Sequence, residues 1–200
     1  MTPNLILASG SSRRKKLLAI LGIPFQVEVA DIDETRLEKE SPRGLVERLS
    51  NKKAMAIARG KRDVIVIGAD TIVLLGDDIL EKPTSEENAR EMLTSLSGET
   101  HTVYTGVSII RADRDQDRNH QVRFVEKTLV TFGEISDDHI DHYIQSGSPF
   151  DKAGGYGIQD DRGALFVERL NGDFYNVMGL PIFRLNQFLQ SEFAILFAED

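Results

Sequence analysis

Cysteine is absent from the 200 residues, which excludes disulfides and thiolate zinc sites. Histidine is scarce. The four present, His101, His120, His139 and His142, show no H-E-x-x-H or other zinc spacing, and the last two, in SDDHIDHY, read as the decoration of a helix. Long hydrophobic runs are also missing: no stretch reaches about 18 consecutive apolar residues, and the opening MTPNLILASG has neither a signal-peptide core nor a cleavage pattern. The expectation is a cytoplasmic chain. Positive charge is in deficit, 24 Lys and Arg against 32 Asp and Glu for a net charge of −8, which argues against general binding to nucleic acid or to anionic membranes. No G-x-x-x-x-G-K-[ST] word occurs, so the P-loop class is excluded.

What the chain does have is a central stretch from Val64 to Pro83, VIVIGADTIVLLGDDILEKP. Val64 to Ile67 are four β-branched residues in succession, a pattern that predicts a strand covered on both faces. The apolar run breaks at Gly68-Ala69-Asp70-Thr71, where the strand is expected to end. A second run, Ile72 to Leu75, meets the turn signal Gly76-Asp77-Asp78 and returns through Ile79 and Leu80 to Glu81-Lys82-Pro83. Pairing as a hairpin brings Lys82 back towards Asp70. Such a strand edge carries an acid, a hydroxyl and a cation. Alone, Asp70 reads equally as a turn aspartate and Lys82 as a surface lysine.

Towards the N-terminus, Asn4 to Ala8 predicts a short strand, and Ser9-Gly10-Ser11-Ser12 supplies the turn and cap of a helix through Leu21. Arg13, Arg14, Lys15 and Lys16 crowd the positive end of that helix, each at a cost on the order of 0.3–1 kcal/mol unless an anion sits there. Hydroxyls at Ser9 and Ser11 with arginines at a strand-to-helix turn suit a phosphate, against the plainer reading of a solvated basic patch. Phe25 to Ala30 alternates as a strand and opens into Asp31-Ile32-Asp33-Glu34-Thr35, a carboxylate-dense loop that suits either a divalent cation or bulk solvent. Ser41-Pro42 starts a helix to Arg59 whose apolar stripe, Leu45, Val46, Leu49, Ala56 and Ile57, has Lys53 near its centre. A lysine turned inward needs an acid or a bound anion, unless it snorkels to the surface.

Further along, Thr84-Ser85-Glu86-Glu87 caps a helix to Leu96, and His101–Ala112 and Gln121–Phe132 predict two long strands joined as a hairpin by the polar segment 113–120. Ser136 caps a helix to Gln145. The loop Asp151-Lys152-Ala153-Gly154-Gly155-Tyr156-Gly157-Ile158-Gln159 combines acid, cation, ring and amide with glycines that allow close backbone approach. A strand over Ala164–Leu170 and a final amphipathic helix over Asn176–Gln190 complete the prediction, with the apolar tail Phe193–Phe197 beyond it.

Several of these words, in this order, resemble the Maf family of nucleoside triphosphate pyrophosphatases: LASGSSRRKKLL, DIDE, NKKA, IGADT, LEKP, LSGETHTVYTGV, FDKAGGYGIQ and NGDFYNVMGLP. The resemblance covers nearly the whole chain, with Ser12 where the family usually has proline. It implies a mixed α/β fold: a central mixed β-sheet with flanking helices, two lobes around an active-site cleft, related to the ITPase kind. Residues 1–200 then form one domain without a separable linker, and the assembly is a homodimer. The implied activity converts a nucleoside triphosphate to monophosphate and pyrophosphate with a divalent cation, Mg2+ or Mn2+.

By matching motif, Asp70 is implied as the base and Lys53 and Lys82 as charged catalytic residues. Ser9, Ser11, Arg13 and Arg14 fall on the substrate side. Asp33 or Glu34 joins Asp70 at the metal, and spacing does not choose between them. Arg13, Thr71 and Gln159 match the branch that prefers dTTP and UTP, and so select the base. Two other readings compete. A nucleotide-sensing regulator of cell division would use the same anion site without turnover. A haloacid-dehalogenase-like phosphatase would use Asp31 in D-x-D-x-T as nucleophile, although FQVEVA lacks the continuous apolar strand which that motif follows.

Overall fold

The computed structural model describes residues 3–113, 120–160 and 162–197. Its strands are β1 (Asn4–Ala8), β2 (Phe25–Val27), β3 (Val64–Leu75), β4 (Asp78–Leu80), β5 (Thr100–Ala112), β6 (His120–Phe132) and β7 (Val167–Asn171). The helices are α1 (Ser12–Ala19), α2 (Pro42–Ala58), α3 (Glu86–Leu96), α4 (Asp137–Gln145), α5 (Phe174–Met178) and α6 (Ile182–Glu192). The strands form one 7-stranded mixed sheet in the order β2-β1-β3-β5-β6-β7, with β4 on β3. The chain divides into two compact units, one of residues 1–70, 105–126 and 179–200, the other of 71–104 and 127–178. The dividing points at 70/71, 104/105 and 126/127 fall inside β3, β5 and β6.

In the first unit β1 pairs in parallel with both β2 and β3, Asn4 to Ala8 matching Val64 to Gly68. Parallel strands need crossovers, and α1 and α2 supply them. β1 and this part of β3 are buried throughout, apart from Asn4 at the start of β1, whereas β2, at the sheet edge, is largely exposed. Ile6, Ala8, Ala54, Ala58, Val64, Val66 and Ile110 form a buried cluster. The buried face of α2 differs from the predicted stripe: Ser50, Ala54 and Ala58 join Leu45, Val46 and Leu49, while Ala56 is exposed. Small residues face the sheet here because the backbones come so close. A Cβ at Gly68 would stand 2.3 Å from the Ser50 carbonyl oxygen, and one at Gly106 would stand 2.2 Å from that of Val46.

That contact explains the main departure from expectation. β3 does not stop at Gly68 but runs on through Asp70 to Leu75, so Gly68 marks close packing rather than a strand end. β2 is shorter than expected, ending at Val27, and α1 ends at Ala19. Gly179, with φ +111°, splits the predicted last helix into α5 and α6. The tail Phe193–Phe197 contains a 3-10 turn that buries Phe193 and Leu196 within the first unit.

The second unit is organised on its own core of Val73, Leu93, Leu96, Val103, Val130, Phe132, Tyr143, Tyr156 and Phe166, with their neighbours. β4 pairs antiparallel with β3 (Val73 to Leu80) as the predicted hairpin. Ser85 and Ser136 cap α3 and α4 through their side chains. β7 is shorter than expected, because Gly163–Phe166 forms a 3-10 turn ahead of it. β5 and β6 are neighbours in the sheet; most of the predicted hairpin connection, residues 114–119, lies outside the described residues.

Candidate active site

Two backbone positions lie at the carboxyl end of the parallel β1–β3 pairing in the first unit, where open α/β sheets bind ligands. One follows β1, which ends at Ala8. The buried Ser9 hydroxyl accepts from Ser11 N at 3.3 Å and from Arg14 Nη1 at 3.2 Å. Ser11 is the N-cap of α1, its hydroxyl accepting from Arg14 N at 3.4 Å, and Ser12 occupies the first helical position. Arg14 Nε donates to the Gly179 carbonyl at 2.8 Å. The two serines and Arg14 thus brace one another, while Arg13 is half-buried beside them in the helix. Burial pulls the Arg14 pKa down from its ordinary value, and the charges of Asp70 and then Glu34 act the other way. Both acids therefore lie within electrostatic reach of this turn.

The other position belongs to Asp70, two residues beyond Gly68, the last β3 residue paired with β1. Its residue is 7 % exposed. Lys53, from α2, donates to Asp70 Oδ1 at 2.7 Å and lies 3.0 Å from Glu34 Oε1. Because Ala54 packs on Gly68, the preceding Lys53 is held at the height of Asp70. One ammonium thereby joins two carboxylates from distant parts of the sequence.

The loop after β2 divides its acids. Asp33 Oδ1 accepts from Thr35 N at 2.9 Å, a local turn that lowers the Asp33 pKa. Glu34 instead points to Lys53. Arg48 of α2 fixes the loop, gripping Glu40 with two nitrogens at 2.6 and 2.7 Å and donating to the Thr35 carbonyl at 3.0 Å. This residue escaped the sequence reading; an arginine one helical turn and a residue before Lys53 was the only available signal. Asp31 is exposed and follows the exposed edge strand β2, so the D-x-D-x-T reading finds no buried strand beneath it. Among the described residues no three or more His, Asp or Glu side chains are grouped to hold a metal ion.

The remaining predicted residues belong to the second unit. Thr71 is half-buried in β3, and Lys82 is exposed two residues past β4. Gln159 is half-buried and donates through Nε2 to Asp160 Oδ1 at 2.7 Å. Asp160 and Lys152 are further residues that the sequence reading left without a role: Lys152 Nζ lies 3.1 Å from Asp160 Oδ2 and 2.6 Å from Asp151.

The family model for Maf-like protein matches residues 4–192. The chain belongs to the Maf family. It is 50% identical over 181 residues to the dTTP/UTP pyrophosphatase of Bacillus thuringiensis subsp. konkukian (strain 97-27), covering 90% of this chain and 91% of that one. The dTTP/UTP pyrophosphatase of Bacillus cereus (strain ATCC 10987) is likewise 50% identical, over 90% of this chain and 86% of its own. That of Bacillus anthracis is 49% identical over 90% and 91%. No helix among the described residues is long and apolar enough to cross a membrane.

Proposed function

We propose that the chain is a nucleoside triphosphate pyrophosphatase acting on dTTP and UTP, and releasing the monophosphate and pyrophosphate. The observation that carries the reading is the buried Asp70, paired with Lys53 and adjoining Glu34 and Arg14, in a chain half identical to proteins bearing that name. Asp70 orients the attacking water and takes its proton. The water oxygen joins the α-phosphorus, the bond from that phosphorus to the α–β bridging oxygen breaks, and pyrophosphate leaves with the bridging oxygen and the electron pair. Arg13, Arg14 and the Ser9–Ser11 turn supply donors to phosphate oxygens, with Lys53 and Lys82 offsetting charge as it develops. Thr71 and Gln159 select the base.

A hard cation fits the acids available. Magnesium and manganese commonly take one or two carboxylates and complete their shell with water and substrate phosphates, and Asp70 and Glu34 offer that pair. Glu34 suits the role better than Asp33, whose Oδ1 is engaged by Thr35. When bound, the cation would neutralise phosphate charge. We propose further that the protein is a cytoplasmic homodimer whose two lobes constitute one domain, as the family resemblance implies.

Pyrophosphate release tests the reading. With magnesium or manganese, dTTP and UTP are expected to be hydrolysed ahead of CTP, dATP, GTP and 7-methyl-GTP. Chelator should abolish release, and Gln159→Glu should reorder the bases. Binding of these nucleotides without pyrophosphate release would overturn the catalytic assignment in favour of a sensor.

A further inference from the structure

The Gln159 carboxamide is held by a neighbour that decides which of its two ends is engaged. Asp160 Oδ1 accepts from Gln159 Nε2 at 2.7 Å, while Gln159 Oε1 has no hydrogen-bond partner among the described residues. An ionised carboxylate only accepts, so it holds the NH2 end and rejects the carbonyl end. Asp160 is itself fixed from three sides: Ser148 Oγ donates to Oδ2 at 2.6 Å, Tyr143 OH donates to it at 3.1 Å, and Lys152 Nζ lies 3.1 Å away. Burial acts upward on the Asp160 pKa, but the hydrogen bonds from Ser148, Lys152 and Tyr143 together with the charge of Lys152 outweigh it, and the pKa ends below its ordinary value. The carboxylate stays charged.

The loop is shaped around this group. A Cβ at Gly157 would stand 2.4 Å from Asp160 Oδ2 and 2.7 Å from Lys152 Cε, so the chain passes only because glycine is there. Gly157 N in turn donates to Tyr143 OH at 3.0 Å. Buried polar networks satisfied in this way fix a single arrangement.

We infer that Asp160 is a positioning residue for base selectivity: by holding Gln159 Nε2, it presents Oε1 as an acceptor to the ligand, favouring uracil and thymine over cytosine. The inference rests on the proposal that Gln159 meets the base. Uracil and thymine carry a donor at N3–H, which an acceptor recognises. Cytosine has a lone pair at N3, which would face Oε1 lone pair to lone pair. A free glutamine would turn its amide and accommodate either; the carboxylate at Asp160 removes that choice.

The test compares kcat/KM for UTP, CTP and N3-methyl-UTP. Wild type is expected to prefer UTP and to treat N3-methyl-UTP as poorly as CTP, since the methyl group removes the donor. Asp160→Asn frees the amide to turn and should lower the UTP/CTP ratio by about tenfold or more. Ser148→Ala removes one support of Oδ2 and leaves the Gln159 contact, so its ratio should stay near that of wild type. A fall in both substrates at constant ratio in Asp160→Asn would assign the residue to structure alone and overturn the inference. Turnover of N3-methyl-UTP by wild type at the UTP rate would also overturn it, without reliance on any variant. Absence of turnover with UTP itself would instead overturn the pyrophosphatase reading on which the inference stands.

Discussion

Lys53 Nζ donates to Asp70 Oδ1 at 2.7 Å, joining the middle of α2 to the strand position just past the β1–β3 pairing. The pair is largely withdrawn from solvent, with side chains 12 % and 10 % exposed. Breaking a buried pair strands the remaining charge, at about 3–5 kcal/mol when no other partner exists. Lys53 has a second acid in Glu34, so Asp70→Asn should cost less than that, while pyrophosphate release from UTP falls by roughly 10²–10⁴. Thermal melting beside a pyrophosphate assay checks both halves. A variant retaining near wild-type turnover would remove Asp70 from the base's role.

Gly68→Ala should destabilise the protein without touching a charged group. The added methyl meets the Ser50 carbonyl oxygen at 2.3 Å and Ala54 N at 2.7 Å, both backbone atoms that cannot rotate away. Overpacking of this kind costs about 1–3 kcal/mol. Urea denaturation measures it. Gly76→Ala, where no atom lies within 4 Å, serves as comparison for a glycine whose only constraint is its φ of +57°.

Arg48→Ala should loosen the acidic loop from α2. Glu40 loses its two charged hydrogen bonds and Thr35 its donor, with an expected cost of about 1–3 kcal/mol. Because Arg48 touches Glu40 and Thr35 rather than Lys53 or Asp70, faster proteolysis within residues 31–40 of the native variant is the readout. Unchanged cleavage there would show that the loop is held by other means.

His101 gives the stability a defined acid limb. Its ring lies between Phe132 and Tyr156, and burial lowers its pKa from 6.5 to about 4. Between those values the unfolded chain binds a proton that the native chain does not. This contribution is fully present above pH 6.5 and is lost as pH falls towards 4, by about 1.4 kcal/mol per pH unit. Nε2 hydrogen-bonds Tyr156 OH at 2.7 Å, so the double variant His101→Phe, Tyr156→Phe removes both partners together. Urea midpoints at pH 7.5, 5.5 and 4.5 should fall less steeply for the double variant than for wild type. Equal slopes would mean that His101 is not the group responsible.

The two glycines under α2 mark the boundary of what the linear pattern conveys. Hydrophobic runs, capping serines and turn residues act over a few neighbours, so β1, α2, α3, α4 and the β3–β4 hairpin were legible from local rules, as was the inward lysine at Lys53. Gly68 was misread because the same residue that ends a strand by local preference also permits a helix backbone to touch it, and only the packing of Ser50 and Ala54 distinguishes the two.

The family words fixed the candidate residues, and spacing left Asp33 and Glu34 equivalent. Tertiary contacts give the two different partners: Asp33 closes a turn on Thr35, whereas Glu34, in the loop that Arg48 holds, lies against Lys53. Gln159 was visible as an amide in a glycine-rich loop, but the end it presents depends on Asp160, which depends on Ser148, Tyr143 and Lys152. Sequence by itself determined the elements and the chemical inventory, since both are properties of residues and near neighbours. The tertiary structure alone decided which acid meets which cation and which way an amide faces, because those are set by distances between side chains that the chain brings together only on folding.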